Sequence, residues 1–356
     1  MSREPHIIEL TKRIVVGKKV VANMKDYLPA SIRKSIEKRK VLIITGPNVW
    51  NRYGKLLEKA LEKIDTSYET ITIREAHIDI ANSIVESREA RDSGAIIGFG
   101  GGKSIDVAKY SASKLKKPLI SIPTAASHDG IASPFSSLKG TGKPTSIKTV
   151  EPILLLADLD IIIEAPKRLL IAGAGDIIAK FTAVQDWRLA HLLHNEYYGE
   201  YSASLAMLSA KHIVKYSNII AKQNHESARI ILEALISSSV AMGIAGSTRP
   251  ASGSEHLFSH ALDIIAEKPA LHGEQTGVGT IMMAKLHRLP WRKIRAVLRK
   301  IGAPTTAKEL GLKDIEIIKA LTLAHKIRPE RYTILGERGL TWEAAEKLAR
   351  DTGVIP

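Results

Sequence analysis

Through roughly its first 165 residues the chain alternates short apolar runs with amphipathic stretches, and this alternation restricts the fold more than any other feature. Val41-Leu-Ile-Ile-Thr45 reads as a strand that stops at Gly46-Pro47, after which residues 51–64 carry helical spacing. Ile71-Thr-Ile73, Ala95-Ile-Ile-Gly-Phe99, Leu119-Ile-Ser-Ile122 and Ile153-Leu-Leu-Leu-Ala157 read as further strands. Strands separated by helices predict a parallel sheet covered by helices. Residues 134–138 and the run from Ser146, joined through Lys139-Gly-Thr-Gly-Lys143, read as an inserted hairpin. From Pro166 onward only helical patterns follow, with breaks expected at residues 173–175, 246–253, 269–273 and 302–304. The expected architecture is an α/β N-terminal domain with a Rossmann-like parallel sheet, residues 1–165, and an all-α C-terminal domain, residues 166–356. A chain of 356 residues exceeds one ordinary core and fits two domains.

The chain has no cysteine, so disulfides and thiolate ligands are excluded. No apolar run is expected to approach the ~20 residues that cross a bilayer. The first residues, Met-Ser-Arg-Glu-Pro-His, do not resemble a signal peptide, and a cytoplasmic location is expected. The formal net charge of +15 raises nucleic acid as a partner. The basic residues are scattered, however, and clusters such as 33–40 and 292–300 sit on helical patterns that read as solvated faces. Only 5% of residues are aromatic, too few to build a base-stacking platform. Nucleic acid is therefore not the expected partner; steering a small anionic substrate is.

The predicted strand at 95–99 runs into Gly98-Phe-Gly-Gly-Gly-Lys-Ser-Ile-Asp106-Val-Ala-Lys109, which continues as a helix. Backbone amides at a helix start, unobstructed by side chains, cradle phosphate. Two familiar spacings nearly fit. G-x-G-x-x-G finds Gly98 and Gly100 but Lys103 in place of its third glycine; the P-loop finds Gly102-Lys103-Ser104 but Ile97 in place of its first glycine. Neither the ordinary dinucleotide fingerprint nor an NTPase is supported. The next strand opens into Ser121-Ile-Pro-Thr124-Ala-Ala-Ser127-His-Asp129-Gly-Ile-Ala-Ser133. This loop offers hydroxyls and a carboxylate at a strand's carboxyl end, where open sheets bind ligands.

In the second half, Asp176, His256 and His272 are metal-competent residues in Gly- or Ser-flanked settings, with His260 four residues after His256. Without thiolates, zinc must take oxygen and nitrogen ligands, and three such ligands leave a coordination position for substrate. Residues 171–180 read as a glycine-rich loop entering a helix, placing Asp176 in its first turn, where a carboxylate is favoured. His256 and His260, at i and i+4, share one helical face. His272 lies beyond a break at Pro269 and reaches the same point through a turn. Singly, each of these residues is more simply a cap or a core residue; their conjunction with the phosphate loop favours a site.

The order of these motifs resembles the glycerol dehydrogenase and dehydroquinate synthase superfamily. Within it the chain is most similar to the sn-glycerol-1-phosphate dehydrogenases, in GFGGGKSIDVAK, PTAASHDGIASPFSS, AGAGDIIAKFTA, SGSEHLFSHALD and LHGEQ, across residues 40–280. The resemblance implies zinc- and NAD(H)- or NADP(H)-dependent reduction of dihydroxyacetone phosphate, supplying archaeal membrane phospholipid, by a homo-oligomer. It implies that Gly100, Gly101, Gly102, Lys103 and Ser104 hold the cofactor pyrophosphate. Thr124, Ala125, Ala126 and Ser127, with Ser133, would line the ribose and nicotinamide. Asp176, His256 and His272 would bind one zinc per subunit. Asp129 and His260 would contact the substrate, with Asp176 close to it. Iron-dependent relatives carry a metal-binding histidine four residues after the aspartate; Lys180 stands there and implies zinc with three protein ligands. Dehydroquinate synthases use Glu where Asp176 stands, a weaker match. A polyol dehydrogenase and a non-catalytic basic binding protein remain rival readings. Lys139, Lys143, Lys180 and Arg249 are undecided candidates for the substrate phosphate.

Overall fold

The computed structural model describes residues 6–37, 39–142 and 146–356. They form two compact units: Met1–Ala126 with Gly130–Ala165, and Ser127–Asp129 with Pro166–Pro356. Lys38 and Lys143 lie outside the described residues.

Among its described residues the first unit contains eight strands: β1 (Arg13–Gly17), β2 (Val41–Thr45), β3 (Tyr68–Thr72), β4 (Ala95–Gly100), β5 (Leu119–Pro123), β6 (Phe135–Ser137), β7 (Ser146–Lys148) and β8 (Leu154–Asp158). Six make one sheet in the order β1-β8-β5-β4-β2-β3, with every pairing parallel. β6 and β7 pair antiparallel as the inserted hairpin. The central strands are buried throughout because helices cover both faces, so their sequences are continuous apolar runs rather than alternating ones. Alternate residues still divide between two cores. Ile43, Ile97, Phe99 and Ile120 pack with Leu57 and Leu61; Leu42, Ile44 and Ile96 pack with Ile84, Val107 and Ala108. β1 was not expected: it is an edge strand that starts at Arg13, lies between Lys12 and Lys18, and is paired on one side only.

The strand order sets the position of the phosphate loop. β2 leads on to β3 on one side and β4 leads on to β5 on the other, so the loops following β2 and β4 leave in opposite directions. A crevice opens at such a switch point, at the carboxyl ends of the strands. There the backbones come close: a Cβ on Gly100 would lie 4.0 Å from the Gly46 amide nitrogen.

The second unit is helical, with no strand among its described residues. Two expectations fail in it. First, residues 173–175 do not break the chain, because helix Lys167–Ile178 runs straight through them. A Cβ on Gly175 would land on the Gly273 carbonyl, and one on Gly273 on the Ala172 carbonyl. These glycines let this helix meet helix His272–Leu286 backbone to backbone, a gain that offsets their ~1 kcal/mol helix-propensity cost. Asp176 therefore sits in the last turn of its helix, not the first, where the helix dipole disfavours a carboxylate. Second, helix His225–Ala245 is long and apolar enough to cross a membrane by length and composition, contrary to the expectation that no such run exists. Within this unit 67% of its apolar stretch is buried. A helix that is apolar all round is what a core position requires. The basic clusters do lie on solvated faces: Arg292, Lys293, Arg299 and Lys300 are exposed on helix Trp291–Ile301, whose Ile294, Val297 and Leu298 are buried.

Candidate active site

In the first unit, β4 ends at Gly100, whose φ of +153° disfavours any residue with a side chain. Gly101 caps helix Gly102–Leu115 without a side-chain hydrogen bond, and a Cβ there would meet nothing within 4 Å. The space over this helix start is open, and its first amides face the opening uncapped, so an anionic pyrophosphate fits. Lys103 is exposed and Ser104 buried. Gly98 has a packing role: a Cβ there would lie 2.9 Å from that of Ala108. The Thr124 amide donates to the Gly100 carbonyl at 3.0 Å, joining the two ligand loops. Ala125 and Ala126 are buried, and the Ser133 hydroxyl is turned toward the Phe135 carbonyl at 3.5 Å. Lys109, also buried, donates to the Gly130 and Phe135 carbonyls and holds the loop between them. Ser127 and Asp129 belong to the second unit.

In that second unit Asp176, His256 and His272 converge, with one ligand atom from each lying within 4.8 Å of the others. His256 and His260 come from helix Ser254–Ile265, and His272 opens the following helix. The start of the histidine helix is anchored by Asp186, a fully buried residue 68 positions earlier in the chain. Its Oδ2 accepts from the Ser254 amide at 2.7 Å and hydroxyl at 2.6 Å; its Oδ1 accepts from the Ile334 amide at 2.7 Å and His287 Nε2 at 2.9 Å. A carboxylate at a helix N-terminus is also favoured by the dipole.

Lys180 lies inside the site. Its fully buried ammonium is 2.8 Å from Asp176 Oδ1 and 2.8 Å from Asp129 Oδ2. This ion pair compensates the unfavourable helix position of Asp176. Asp176 Oδ2 accepts from the Asp129 amide at 3.0 Å, and Asp129 Oδ2 also accepts from the Ser238 hydroxyl at 2.7 Å. His256 Nε2 faces Asp176 Oδ1 at 3.5 Å, while its Nδ1 is 2.8 Å from Glu255 Oε1. His272 Nδ1 lies 3.2 Å from the Ser259 hydroxyl. His260 Nδ1 is 3.6 Å from Asp263 Oδ2, and its ring centroid is 5.9 Å from that of His272.

The electrostatics suit a cation. Burial works against ionisation of Asp176, but the Lys180 ammonium and then His256 outweigh it and hold the carboxyl well below its usual range. Burial opposes charge on Lys180 too, and Asp129 and Asp176 overcome it, raising its pKa. Burial lowers His256, yet hydrogen bonds to Asp176 and Glu255 leave it raised. His272 is pushed down to about 3 by burial and by the neighbouring His256. Burial also lowers His260, so it stays neutral near pH 7. Ligation needs neutral imidazoles, and once His256 has given up its proton the carboxylates of Asp129, Asp176 and Glu255 face one ammonium, an imbalance of two negative charges that matches a divalent ion. One aspartate and two imidazoles form the donor set of an open zinc site.

The candidate phosphate ligands separate. Arg249 is buried, donates through Nε and Nη2 to the Glu196 carboxylate, and donates through Nη1 to the Tyr332 carbonyl at 2.9 Å. Lys139 is exposed in the first unit. Arg328, overlooked in the sequence, is buried just after helix Asp314–Ile327, and its charge contributes to lowering His260. Glu255, Asp186 and Ser238 were also overlooked. Glu255 stands next to a ligand histidine and had a signal in the sequence; Asp186 and Ser238 had none.

A parallel sheet with an open helix start at its switch point, and a helical unit holding an Asp-His-His group, make up the two-part fold of the glycerol dehydrogenase type. Residues 17–166 match the iron-containing alcohol dehydrogenase family. The fold is also that of glycerol dehydrogenase from Schizosaccharomyces pombe, with a TM-score of 0.79 over 98% of this chain and 90% of that one, at 20% identity. Nearer relatives narrow the class. A glycerol-1-phosphate dehydrogenase (NAD(P)+) of Hyperthermus butylicus is 55% identical over 98% of this chain and 99% of its own. That of Staphylothermus marinus is 54% identical over the full length of both. The chain belongs to the glycerol-1-phosphate dehydrogenase family of oxidoreductases.

Proposed function

We propose that this protein reduces dihydroxyacetone phosphate to sn-glycerol 1-phosphate with NADH or NADPH, in a zinc-dependent reaction. The observation that carries the reading is the Asp176–His256–His272 group, in a chain so similar along its length to enzymes of that name. Bound there, zinc would supply Lewis-acid polarisation of the substrate carbonyl and the nicotinamide would supply the hydride. Zinc is proposed over iron because Lys180, pairing Asp129 with Asp176, stands where a fourth ligand would have to come from. The Gly101 and Gly102 amides, with Gly100, Lys103 and Ser104, hold the pyrophosphate; Thr124 to Ser127 and Ser133 line the rest of the cofactor. Lys180 and Ser238 hold Asp129 for contact with a substrate hydroxyl. His260, neutral and directed by Asp263 through Nδ1, presents Nε2 to the substrate and handles the proton at its oxygen. The product would feed phospholipid synthesis, in the cytoplasm and from a homo-oligomer.

An absorbance assay with dihydroxyacetone phosphate and each reduced cofactor, with and without a chelator, tests substrate, cofactor and metal together. The expected result is chelator-sensitive turnover that is restored by zinc. Equal or better reduction of unphosphorylated dihydroxyacetone would move the reading to a polyol dehydrogenase. His256→Ala should lose zinc and activity together, whereas His260→Ala should keep stoichiometric zinc and turn over slowly.

A further inference from the structure

Resting on the metal-dependent reading, we infer that Glu255 is a positioning residue that makes the two histidine ligands unequal, so that His256 is the dominant metal anchor and His272 the weaker one. The inequality lies in what stands behind each imidazole. Glu255 is fully buried, and its carboxylate is held from three directions. Oε1 accepts from the Gly253 amide at 2.6 Å and lies 2.8 Å from His256 Nδ1; Oε2 accepts from the Thr182 hydroxyl at 2.6 Å. An ionised carboxylate only accepts, so the proton of a neutral His256 must sit on Nδ1. Nε2 is thereby left bare, on the side that faces Asp176. A carboxylate behind a ligating imidazole also raises its basicity and fixes the ring.

His272 has no such backing. Its Nδ1 faces the hydroxyl of Ser259, a group that donates or accepts equally well. Gln275 Nε2 donates to that hydroxyl at 3.0 Å, which orients the oxygen but does not choose the tautomer of His272. A neutral hydroxyl adds no charge to the site. Two ligands identical in the sequence therefore differ in strength, and the difference is traced to a residue that does not touch the metal.

The test is zinc affinity of the full-length protein, measured by competition with a chromophoric chelator for wild type, Glu255→Gln, Ser259→Ala and Thr182→Val. Glu255→Gln should weaken zinc binding by about 10–100-fold, the range for loss of such a partner. Ser259→Ala should weaken it by no more than a few-fold, and Thr182→Val, which keeps the charge but frees the carboxylate to turn, should fall between them. Cobalt-substituted Glu255→Gln should show shifted d–d absorption bands, a signature that a purely structural role would leave in place. Equal losses for Glu255→Gln and Ser259→Ala, or a larger loss for the latter, would overturn the inference. If Glu255→Gln does not fold, Thr182→Val decides: a loss no larger than that of Ser259→Ala counts against it. The readout does not involve the substrate, so failure to reduce dihydroxyacetone phosphate would sink the functional reading alone. Absence of zinc binding by the wild type would sink both.

Discussion

Residues 100–102 and 173–175 are both glycine clusters close to charged residues, yet the first leaves room and the second removes it. Over Gly101 a side chain would meet nothing within 4 Å, while on Gly175 it would strike the backbone of a neighbouring helix. The first cluster exposes amides at a helix start, where an anion gains from them. The second lies inside a helix, its amides already used, and its small size brings Asp176 and His272 close on facing helices. Glycine density therefore marks missing side chains without saying whether a ligand or another helix takes the place.

The sharpest way to break this comparison is Gly175→Ala or Gly273→Ala. No rotamer relieves a methyl group against a carbonyl, and the cost should reach or exceed the ~3 kcal/mol upper range of overpacking. Denaturant unfolding should show a large fall in midpoint or no folded protein, and near-normal stability would end the packing account.

Lys180→Met comes next. It leaves the buried Asp176 carboxylate and the half-buried Asp129 carboxylate without their cation, and breaking a buried pair in this way costs ~3–5 kcal/mol. Zinc should stabilise this variant more than wild type, because the ion replaces part of the lost charge. Equal zinc-induced shifts in unfolding temperature would show that the ammonium is not part of the site's charge balance.

A smaller effect concerns protons. Metal ligation needs neutral imidazole, so metal competes with any proton held in the free site. His256 is raised above its ordinary value and His272 lowered to about 3, so only His256 carries a proton to displace near neutrality. Zinc affinity should fall about tenfold per unit as pH drops below the raised His256 value and level off above it. Calorimetry in buffers of different ionisation heat should count one proton released per zinc below that value; two would refute the assignment.

Gly101→Ala should have the least effect on the fold. Its φ of −76° suits alanine and the added methyl touches nothing, so stability should stay within ~0.5 kcal/mol. The same methyl enters the space assigned to the pyrophosphate, and KM for the cofactor should rise about tenfold. An unchanged KM would remove the cofactor from this loop, while a collapse in stability would make the two glycine clusters alike.

Much of the protein was legible before folding was considered. Apolar runs of four or five residues marked the central strands because both faces of the sheet are covered, and β1 escaped because an edge strand needs no such run. The four-residue spacing of His256 and His260 gave their common helical face from helix geometry alone. The absence of cysteine limited any zinc to nitrogen and oxygen ligands. What stayed hidden depends on segments distant along the chain. Asp186 reaches Ser254 across 68 positions, Thr182 reaches Glu255 across 73, and Gly175 meets Gly273. The sequence by itself determined residue chemistry and periodicity, which are local. Only the tertiary structure decided that a glycine run stays helical, that the apolar helix His225–Ala245 is a core helix, and that Lys180 balances two carboxylates, because collision, burial and charge pairing exist only between segments that folding brings together.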